Sequence, residues 1–119
     1  MAVENNGKNS RPWGYYEVLS EEKDHKVKRI TVFPEKRLSL QMHKLRSEHW
    51  FVVKGAGLVT ADTKEYEVSA GQSLDIRKES AHRIKNIGQG DLVLIEVQTG
   101  FYFGEDDIHR LEDDFGRVK

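Results

Sequence analysis

Short apolar runs with alternating polar residues follow one another along most of the chain. Glycine, proline and acidic turn residues separate these runs, as at Pro34, Gly55 and Gly71. Many short strands at close, regular spacing predict an all-β sandwich or barrel, and no alternation with helices indicates a parallel α/β sheet. The runs are WGYYEVL, VKRITVF, RLSLQMH, EHWFVVKG, LVTAD, EYEVS, QSLDI, HRIKN and DLVLIEVQ.

The two ends of the chain differ from this pattern. Residues 1–10 are polar and lack periodicity, so they predict a flexible tail, and residues 11–119 predict one domain. The helical candidate is the segment 106–114, where acidic residues come first and Ile108, Leu111 and Phe115 recur at helical spacing. We expect a short C-terminal helix there, packed over one end or edge of the barrel.

Composition and charge narrow the classes of function. The chain has 119 residues and a net charge of -1, so no global field recruits nucleic acid or an anionic membrane. No apolar run approaches the roughly 20 residues of a membrane span, and the N-terminus does not resemble a secretory signal, so we expect a cytoplasmic protein. The chain has no cysteine, so any metal must take nitrogen and oxygen ligands.

Strand alternation predicts which polar side chains can meet. In LSLQMHKL, the side chains of Gln41, His43 and Leu45 share one face. In EHWFVV, Glu48 lies on the face opposite to His49, so Glu48 is the better candidate for a site built with His43.

A third polar candidate comes from HRIKN, where His82 aligns with Ile84 and Asn86. A lone histidine on a strand is most often a surface residue or a hydrogen-bonded core residue, and a lone glutamate is most often solvated. The metal hypothesis therefore depends on these residues occurring together with the glycine spacing that follows them.

His43, Glu48 and Gly55 resemble the first motif of the cupin family. That motif has two histidines two residues apart, a glutamate shortly after them, and a glycine seven residues beyond the glutamate. Leu45 stands where the second histidine would be.

The second cupin motif is resembled by Gly71, His82 and Asn86. Here too the sequence departs, because Arg77 stands at the motif's proline and Glu79 at its second glycine. Cupin motifs are degenerate, so they indicate a fold and not a function.

Longer segments of the sequence carry a more specific resemblance to one family. They closely resemble the cupin domain of type II phosphomannose isomerases, a domain that commonly follows a mannose-1-phosphate guanylyltransferase domain. The resemblance extends over residues 11–117, but we find no glycine-rich nucleotide-binding segment and do not expect GDP-mannose synthesis. The segments are RPWGYYEVL, VKRITVFP, LSLQMH, RSEHWFVVKG, HRIKN, LIEVQTGFYFGEDDI and RLEDDFGR.

The resemblance implies a cupin fold, that is, a double-stranded β-helix or small jelly-roll barrel with a divalent metal in its mouth. It implies interconversion of mannose 6-phosphate and fructose 6-phosphate, and it makes a homodimer plausible because cupins often pair through their sheets. Such an isomerisation can pass through a cis-enediol, which a divalent metal stabilises as a Lewis acid.

Roles for individual residues follow from this chemistry. His43, Glu48 and His82 would be three metal ligands, and Gln41 is either a fourth ligand or a hydrogen-bonding residue that lines the barrel. Their nitrogen and oxygen donors suit Zn²⁺, with Co²⁺, Mn²⁺ or Ni²⁺ as alternatives. Arg46 matches an arginine of the family's HRAEHW-like segment, for which the resemblance implies a role in isomerisation.

The isomerisation also needs cations that bind the substrate phosphate and a group that carries the proton. Lys44, Arg83 and Arg110 are candidates for binding the substrate phosphate, and the acidic GEDDI run is expected to be a capping and packing element. For the general base His49, a metal-bound hydroxide and an unlocated carboxylate stay open. The alternatives to an isomerase are a non-catalytic cupin that binds a sugar phosphate and a cupin enzyme of another reaction, with the metal site weakened at Leu45.

Overall fold

The computed structural model describes residues 7–118, which form eleven strands and no helix. Of the tail expected over residues 1–10, residues 1–6 lie outside the described residues, and residues 8–10 belong to the first strand. The strands are β1 (Lys8–Arg11), β2 (Gly14–Glu21), β3 (His25–Val32), β4 (Leu40–Met42), β5 (Arg46–Lys54), β6 (Ala56–Ala61), β7 (Lys64–Ser69), β8 (Ser73–Ile76), β9 (His82–Asn86), β10 (Leu92–Gly100) and β11 (His109–Glu112).

The strands form two antiparallel sheets. One has six strands in the order β1-β2-β3-β10-β5-β8, and the other has five in the order β11-β4-β9-β6-β7. Neighbours in a sheet are often distant in sequence, since β10 pairs with both β3 and β5. The predicted all-β class is confirmed.

Alternation along β5 and β10 builds the core between the sheets. Trp50 and Val52 point inward and are at most 2% exposed, while Phe51 points outward and is 44% exposed. Leu92 and Leu94 of β10 are fully buried in the same cluster. Burying one such side chain stabilises the fold by roughly 1.5–3 kcal/mol, so these positions fix which faces of both strands look into the barrel.

The predicted helix over residues 106–114 is wrong. The chain makes a turn at Asp107, whose amide donates to the carbonyl of Gly104, and then enters β11, which pairs with β4. An isolated helix of nine residues is only marginally stable, and the acidic residues Asp113 and Asp114 would lie unfavourably at its C-terminus. Pairing with β4 instead satisfies the backbone groups of both strands.

Two turns explain why one glycine of the cupin-like motifs is present in this sequence and how another is replaced. Gly55 has a φ of 93°, and a Cβ there would lie 2.8 Å from the carbonyl oxygen of Asp91, so a side chain is excluded. Glu79, which stands at the position of a motif glycine, also has a positive φ of 65°. Its amide donates to the carbonyl of His43 at 2.7 Å, so this left-handed turn supports the segment that carries His43.

Candidate active site

A cavity of about 580 Å³, counting its open mouth, lies between the two sheets. Inward-facing residues of strands from both sheets form its wall, and the segment between β10 and β11 contributes Glu105 and Ile108. The polar, charged and aromatic side chains that line it include Arg11, Tyr16, Lys28, Gln41, His43, Arg46, Glu48, Trp50, His82, Arg83, Glu96, Glu105, Arg110 and Arg117.

Three potential metal ligands meet inside this cavity. His43 follows the end of β4, Glu48 lies on β5 and His82 opens β9, and one ligand atom from each lies within 4.8 Å of the others. Glu48 Oε2 lies 3.1 Å from His43 Nε2, and Glu48 Oε1 lies 3.7 Å from His82 Nε2. All three side chains are buried, so water competes little for their donor atoms.

Hydrogen bonds orient both imidazole rings. Nδ1 of His43 donates to the carbonyl of Asp107 at 2.7 Å, and Nδ1 of His82 donates to the carbonyl of Ser80 at 2.8 Å. A carbonyl can only accept, so each ring presents Nε2 to the cavity. This ring orientation, with one carboxylate beside the two rings, fits a divalent first-row metal, for which two histidines and a glutamate are a known catalytic ligand set.

Arg46 lies beside these ligands. It is buried, its Nε donates to Glu48 Oε2 at 3.2 Å, and its Nη2 lies 3.3 Å from His43 Nε2. A further bond from Nη1 to the carbonyl of Gly104, at 3.4 Å, connects it to the segment before β11. The guanidinium therefore contacts two of the three candidate ligands.

A second buried carboxyl group, Glu96 on β10, also faces the cavity. It accepts a hydrogen bond from Gln98 at 2.6 Å. Burial and the nearby charge of Glu48 raise the pKa of Glu96 to about 8. Burial also opposes ionisation of Glu48, but the contact with His43 and the proximity of His82 hold the pKa of Glu48 well below its ordinary range.

Gln41 lines the same cavity, and its backbone pairs with that of His82 across β4 and β9. Its amide nitrogen donates to Ser39 Oγ at 3.1 Å, and this bond does not use the amide oxygen. Leu45 does not share the His43 face, because β4 ends at Met42 and the chain turns before β5. The Leu45 side chain is 38% exposed, and Arg46 is the residue that turns into the cavity.

The structure separates His49 from this group. His49 lies on the outer face of β5, where its side chain is 48% exposed and its Nδ1 lies 2.6 Å from Asp75 Oδ1. The reason is the strand alternation, which turns position 49 away whenever Glu48 turns inward. His49 is therefore not positioned to act on a ligand in the cavity.

Two of the three candidates for phosphate binding line the cavity, and one does not. Lys44 is exposed and does not line the cavity, whereas Arg83 and Arg110 do. Nη2 of Arg83 and Nε of Arg110 are buried without a hydrogen-bond partner among the described residues. Burial and neighbouring cations, Arg37 and Arg117 respectively, lower the pKa of both guanidinium groups. Arg83 keeps one carboxylate partner, since its Nη1 lies 3.2 Å from Glu112 Oε1.

Several site residues escaped the sequence reasoning. Glu96 and Gln98 occupy inward positions of LVLIEVQ, alternating in phase with Leu92 and Leu94. Polar residues at core positions of an apolar strand are a signal that can be found from sequence. Lys28 carries the same signal, since it alternates in phase with the buried Ile30 and Val32 of β3. Glu105 and Asp107 gave no such signal, because long-range contacts define their places.

Two facing antiparallel sheets with histidines and a glutamate aimed between them define a cupin barrel. The family model described as "Mannose-6-phosphate isomerase C-terminal" matches residues 2–113. The chain therefore belongs to the family of the C-terminal cupin domain of mannose-6-phosphate isomerases.

Curated relatives agree with this family. The chain is 51% identical over 108 residues to the alginate biosynthesis protein AlgA of Pseudomonas aeruginosa, covering 91% of the chain and 22% of AlgA. It is 44% identical over 109 residues to the mannose-1-phosphate guanylyltransferase RfbM of Salmonella typhimurium, covering 92% of the chain and 23% of RfbM. The chain thus spans less than a quarter of the length of these relatives.

Solved structures support the fold alone. CapF, a capsular polysaccharide assembling protein of Staphylococcus aureus, matches with a TM-score of 0.79 at 24% identity, over 88% of this chain and 34% of CapF. Within residues 7–118, no helix is long and apolar enough to cross a membrane.

Proposed function

We propose that this domain interconverts mannose 6-phosphate and fructose 6-phosphate with a divalent metal held by His43, Glu48 and His82. The observation that carries the proposal is the meeting of these three buried ligands in a cavity of a chain from the mannose-6-phosphate isomerase family. Family membership supports an isomerase of mannose phosphate in general, and the substrate pair and the metal are the proposed refinement.

Each ligand would have a defined task. When bound, a metal such as Zn²⁺, Co²⁺, Mn²⁺ or Ni²⁺ polarises the sugar carbonyl and stabilises the enediolate. His43 and His82 would offer Nε2, and Glu48 would offer a carboxylate oxygen. Gln41 is the proposed fourth ligand through its amide oxygen, which replaces the donor that Leu45 lacks.

The remaining cavity residues would bind and orient the sugar phosphate. Arg46 sits beside the ligands, where its guanidinium can stabilise the negative charge that develops on the oxygens at C1 and C2. Arg83 and Arg110 would bind the phosphate, because each has a buried guanidinium nitrogen without a partner among the described residues. For the general base, the cavity supplies Glu96 as the candidate for the carboxylate that the sequence left unlocated.

A second candidate function is a non-catalytic cupin that binds a sugar phosphate. The observation in its favour is the contact of Arg46 with both Glu48 and His43, because this cation satisfies the carboxylate without any metal. The two functions differ in one requirement. The isomerase needs a metal for turnover, whereas the binding module would take mannose 6-phosphate without one.

The test is metal analysis of the purified protein together with an isomerisation assay. Chelator-treated protein would be supplied with Zn²⁺, Co²⁺, Mn²⁺ or Ni²⁺ and assayed with mannose 6-phosphate. We expect turnover that depends on the ion and disappears with chelator. Binding of mannose 6-phosphate without turnover under any ion would favour the binding module instead.

We also propose that the domain works as a cytoplasmic homodimer. The outer face of the six-stranded sheet supports this, since Phe51 and Val53 are 44% and 47% exposed there. Ile95, paired with Phe51 across β5 and β10, extends the same apolar face. Sedimentation velocity of wild type and of Phe51→Lys tests the proposal, because a dimer through this face would dissociate in the variant.

A further inference from the structure

One wall of the cavity carries a cluster of cations from the N-terminal strands. Lys28 on β3 is buried, its side chain is 5% exposed, and its Nζ lies 4.2 Å from the ring centroid of Tyr16. Arg11 at the end of β1 donates to the hydroxyl of Tyr16. Neither cation contributes to the metal centre, and a buried ammonium group needs an anionic partner to stay charged.

That partner is a carboxylate from the segment between β10 and β11. Glu105 Oε2 accepts from Lys28 Nζ at 2.8 Å, and Glu105 Oε1 lies 4.0 Å from Arg11 Nη2. Burial raises the pKa of Glu105, but the charges of Lys28 and Arg46 outweigh this effect and lower it. The Glu105 side chain is 39% exposed, so it can leave for solvent, whereas Lys28 cannot.

Positive charge exceeds negative charge around Glu105. Arg110 is close enough to feel the charges of both Glu105 and Arg11, and its buried Nε has no hydrogen-bond partner among the described residues. The neighbouring Arg117 is already paired with Asp113 at 2.6 Å. Glu105 is the carboxylate that contacts Lys28 and lies near Arg11, while Asp113, which also acts on Arg110, is held by Arg117. Lys28 and Arg11 therefore share one contacting carboxylate beside Arg110, an arrangement that favours an anion of higher charge.

We propose that Lys28, Arg11 and Arg110 form a subsite for a phosphate monoester, and that Glu105 occupies this subsite until the phosphate displaces it. A phosphate monoester brings a charge near -2 and three acceptor oxygens, against one charge and two oxygens from a carboxylate. The inference rests on the proposed function for the identity of the ligand as a sugar phosphate. Of the two arginines proposed there for the phosphate, it keeps Arg110 and replaces Arg83, which already pairs with Glu112, by Lys28 and Arg11. Phosphate binding itself requires no metal and no turnover.

The subsite predicts opposite effects for its two charged partners. Glu105→Gln removes the tethered competitor, so the affinity for phosphate should rise about tenfold if the displaced state is populated at about a tenth. Lys28→Met removes the buried cation and should weaken binding by tenfold or more. Glu17→Gln is the matched control, because Glu17 pairs with Arg29 on the outer face of the same two strands.

The experiment is calorimetric titration of the chelator-treated 119-residue chain with inorganic phosphate, mannose 6-phosphate and mannose. We expect the two phosphates to bind tighter to Glu105→Gln, weaker to Lys28→Met and equally to Glu17→Gln, with mannose unaffected by the three changes. If Lys28→Met fails to fold, the double variant Lys28→Met/Glu105→Gln removes the buried charge and its partner together. The double variant should also bind phosphate more weakly than Glu105→Gln.

Two results would overturn the subsite. Equal or weaker phosphate binding by Glu105→Gln would show that Glu105 is a structural clamp and not a displaceable occupant. Phosphate binding that ignores the loss of Lys28 would place the anion elsewhere. The proposed function fails separately, if phosphate binds as expected but no ion supports isomerisation.

Discussion

The backbone carbonyl of Asp107 accepts a hydrogen bond from His43 Nδ1 at 2.7 Å, although 64 residues separate the two in sequence. The carboxylate of Asp107 also accepts from the amides of Lys44 and Leu45, at 3.0 and 2.9 Å. One residue of the GEDDI run therefore holds both the ring of a metal-ligand candidate and the turn that carries it. This is a packing role of the kind expected for the acidic run.

Asp107→Asn should weaken metal binding without removing a ligand. The asparagine amide can accept from only one of the two turn amides and places a donor against the other, so the His43 turn loses its fixed position. Changes to residues that orient metal ligands typically cost about 10–100-fold in affinity. A Co²⁺ titration followed by visible absorption measures this, with Asp106→Asn as control because Asp106 is exposed and accepts a hydrogen bond from the Tyr102 hydroxyl, away from the His43 turn.

The melting temperature of the metal-free protein separates two explanations for this variant. A lowered melting temperature with unchanged Co²⁺ affinity would show that Asp107 only stabilises the fold. A loss of affinity larger than the loss in Asp106→Asn supports the positioning role.

Arg46→Gln should make the protein more dependent on metal. Removing one partner of a buried ion pair typically costs about 3–5 kcal/mol, because Glu48 is left without its cation. A divalent ion can replace that charge. We therefore expect a lower melting temperature without metal, and a larger rise on adding Zn²⁺ than in wild type. An equal rise in both proteins would mean that Arg46 and the metal do not share Glu48.

Glu79→Gly should stabilise the protein. Glu79 is exposed and holds a φ of 65°, a conformation that costs a side-chain-bearing residue roughly 1–2 kcal/mol and glycine almost nothing. Part of this gain is offset by the larger entropy of glycine in the unfolded chain. Urea unfolding should show a higher midpoint for Glu79→Gly and a lower one for Arg77→Gly, an exposed position in the same turn. A lower midpoint for both would refute the left-handed turn.

Glu96 should make the stability of the metal-free protein fall as pH rises. Its folded-state pKa is raised from 4.5 to about 8, so between these values the folded protein keeps a proton that the unfolded chain has released. The free energy of unfolding therefore decreases with increasing pH in this window. Glu96→Gln cannot ionise and keeps an amide donor, so its stability relative to wild type should grow from about pH 5 to about pH 8.

The comparison with Glu96→Gln also cancels an opposing contribution. Burial lowers the pKa of His82, which by itself makes the folded state more stable as pH rises toward the ordinary histidine value. Both proteins share that effect. Urea unfolding across the window measures the difference, and parallel curves for the two proteins would mean that Glu96 ionises normally when folded.

Local pattern was sufficient for much of this fold. The alternation in EHWFVV correctly separated Glu48 and Trp50 from His49, because one buried face imposes a period of two on a strand. The same rule misplaced Leu45, since nothing local shows that β4 ends at Met42. The spacing of Ile108 and Leu111 suits a helix, but the segment became β11 through pairing with β4.

The parts of the site that sequence reasoning missed are those that long-range contacts define. Glu105 reaches Lys28 across 77 residues, and Arg46 reaches the carbonyl of Gly104 across 58. No periodicity within either segment encodes such a contact. Glu96 is different, because a carboxyl group at an inward strand position is visible in the sequence once the apolar face of β10 is assigned.

The most direct test of the central claim compares His82→Ala with His49→Ala in a metal-dependent mannose 6-phosphate isomerisation assay. His82 is a buried candidate ligand, whereas His49 lies on the outer face of the neighbouring sheet. A Lewis-acid metal usually supplies several kcal/mol and about 1.4 kcal/mol is tenfold in rate, so His82→Ala should lose about a hundredfold or more in kcat. We predict that His49→Ala keeps wild-type activity. Full activity in a folded His82→Ala, or its loss in His49→Ala, would contradict the proposed site.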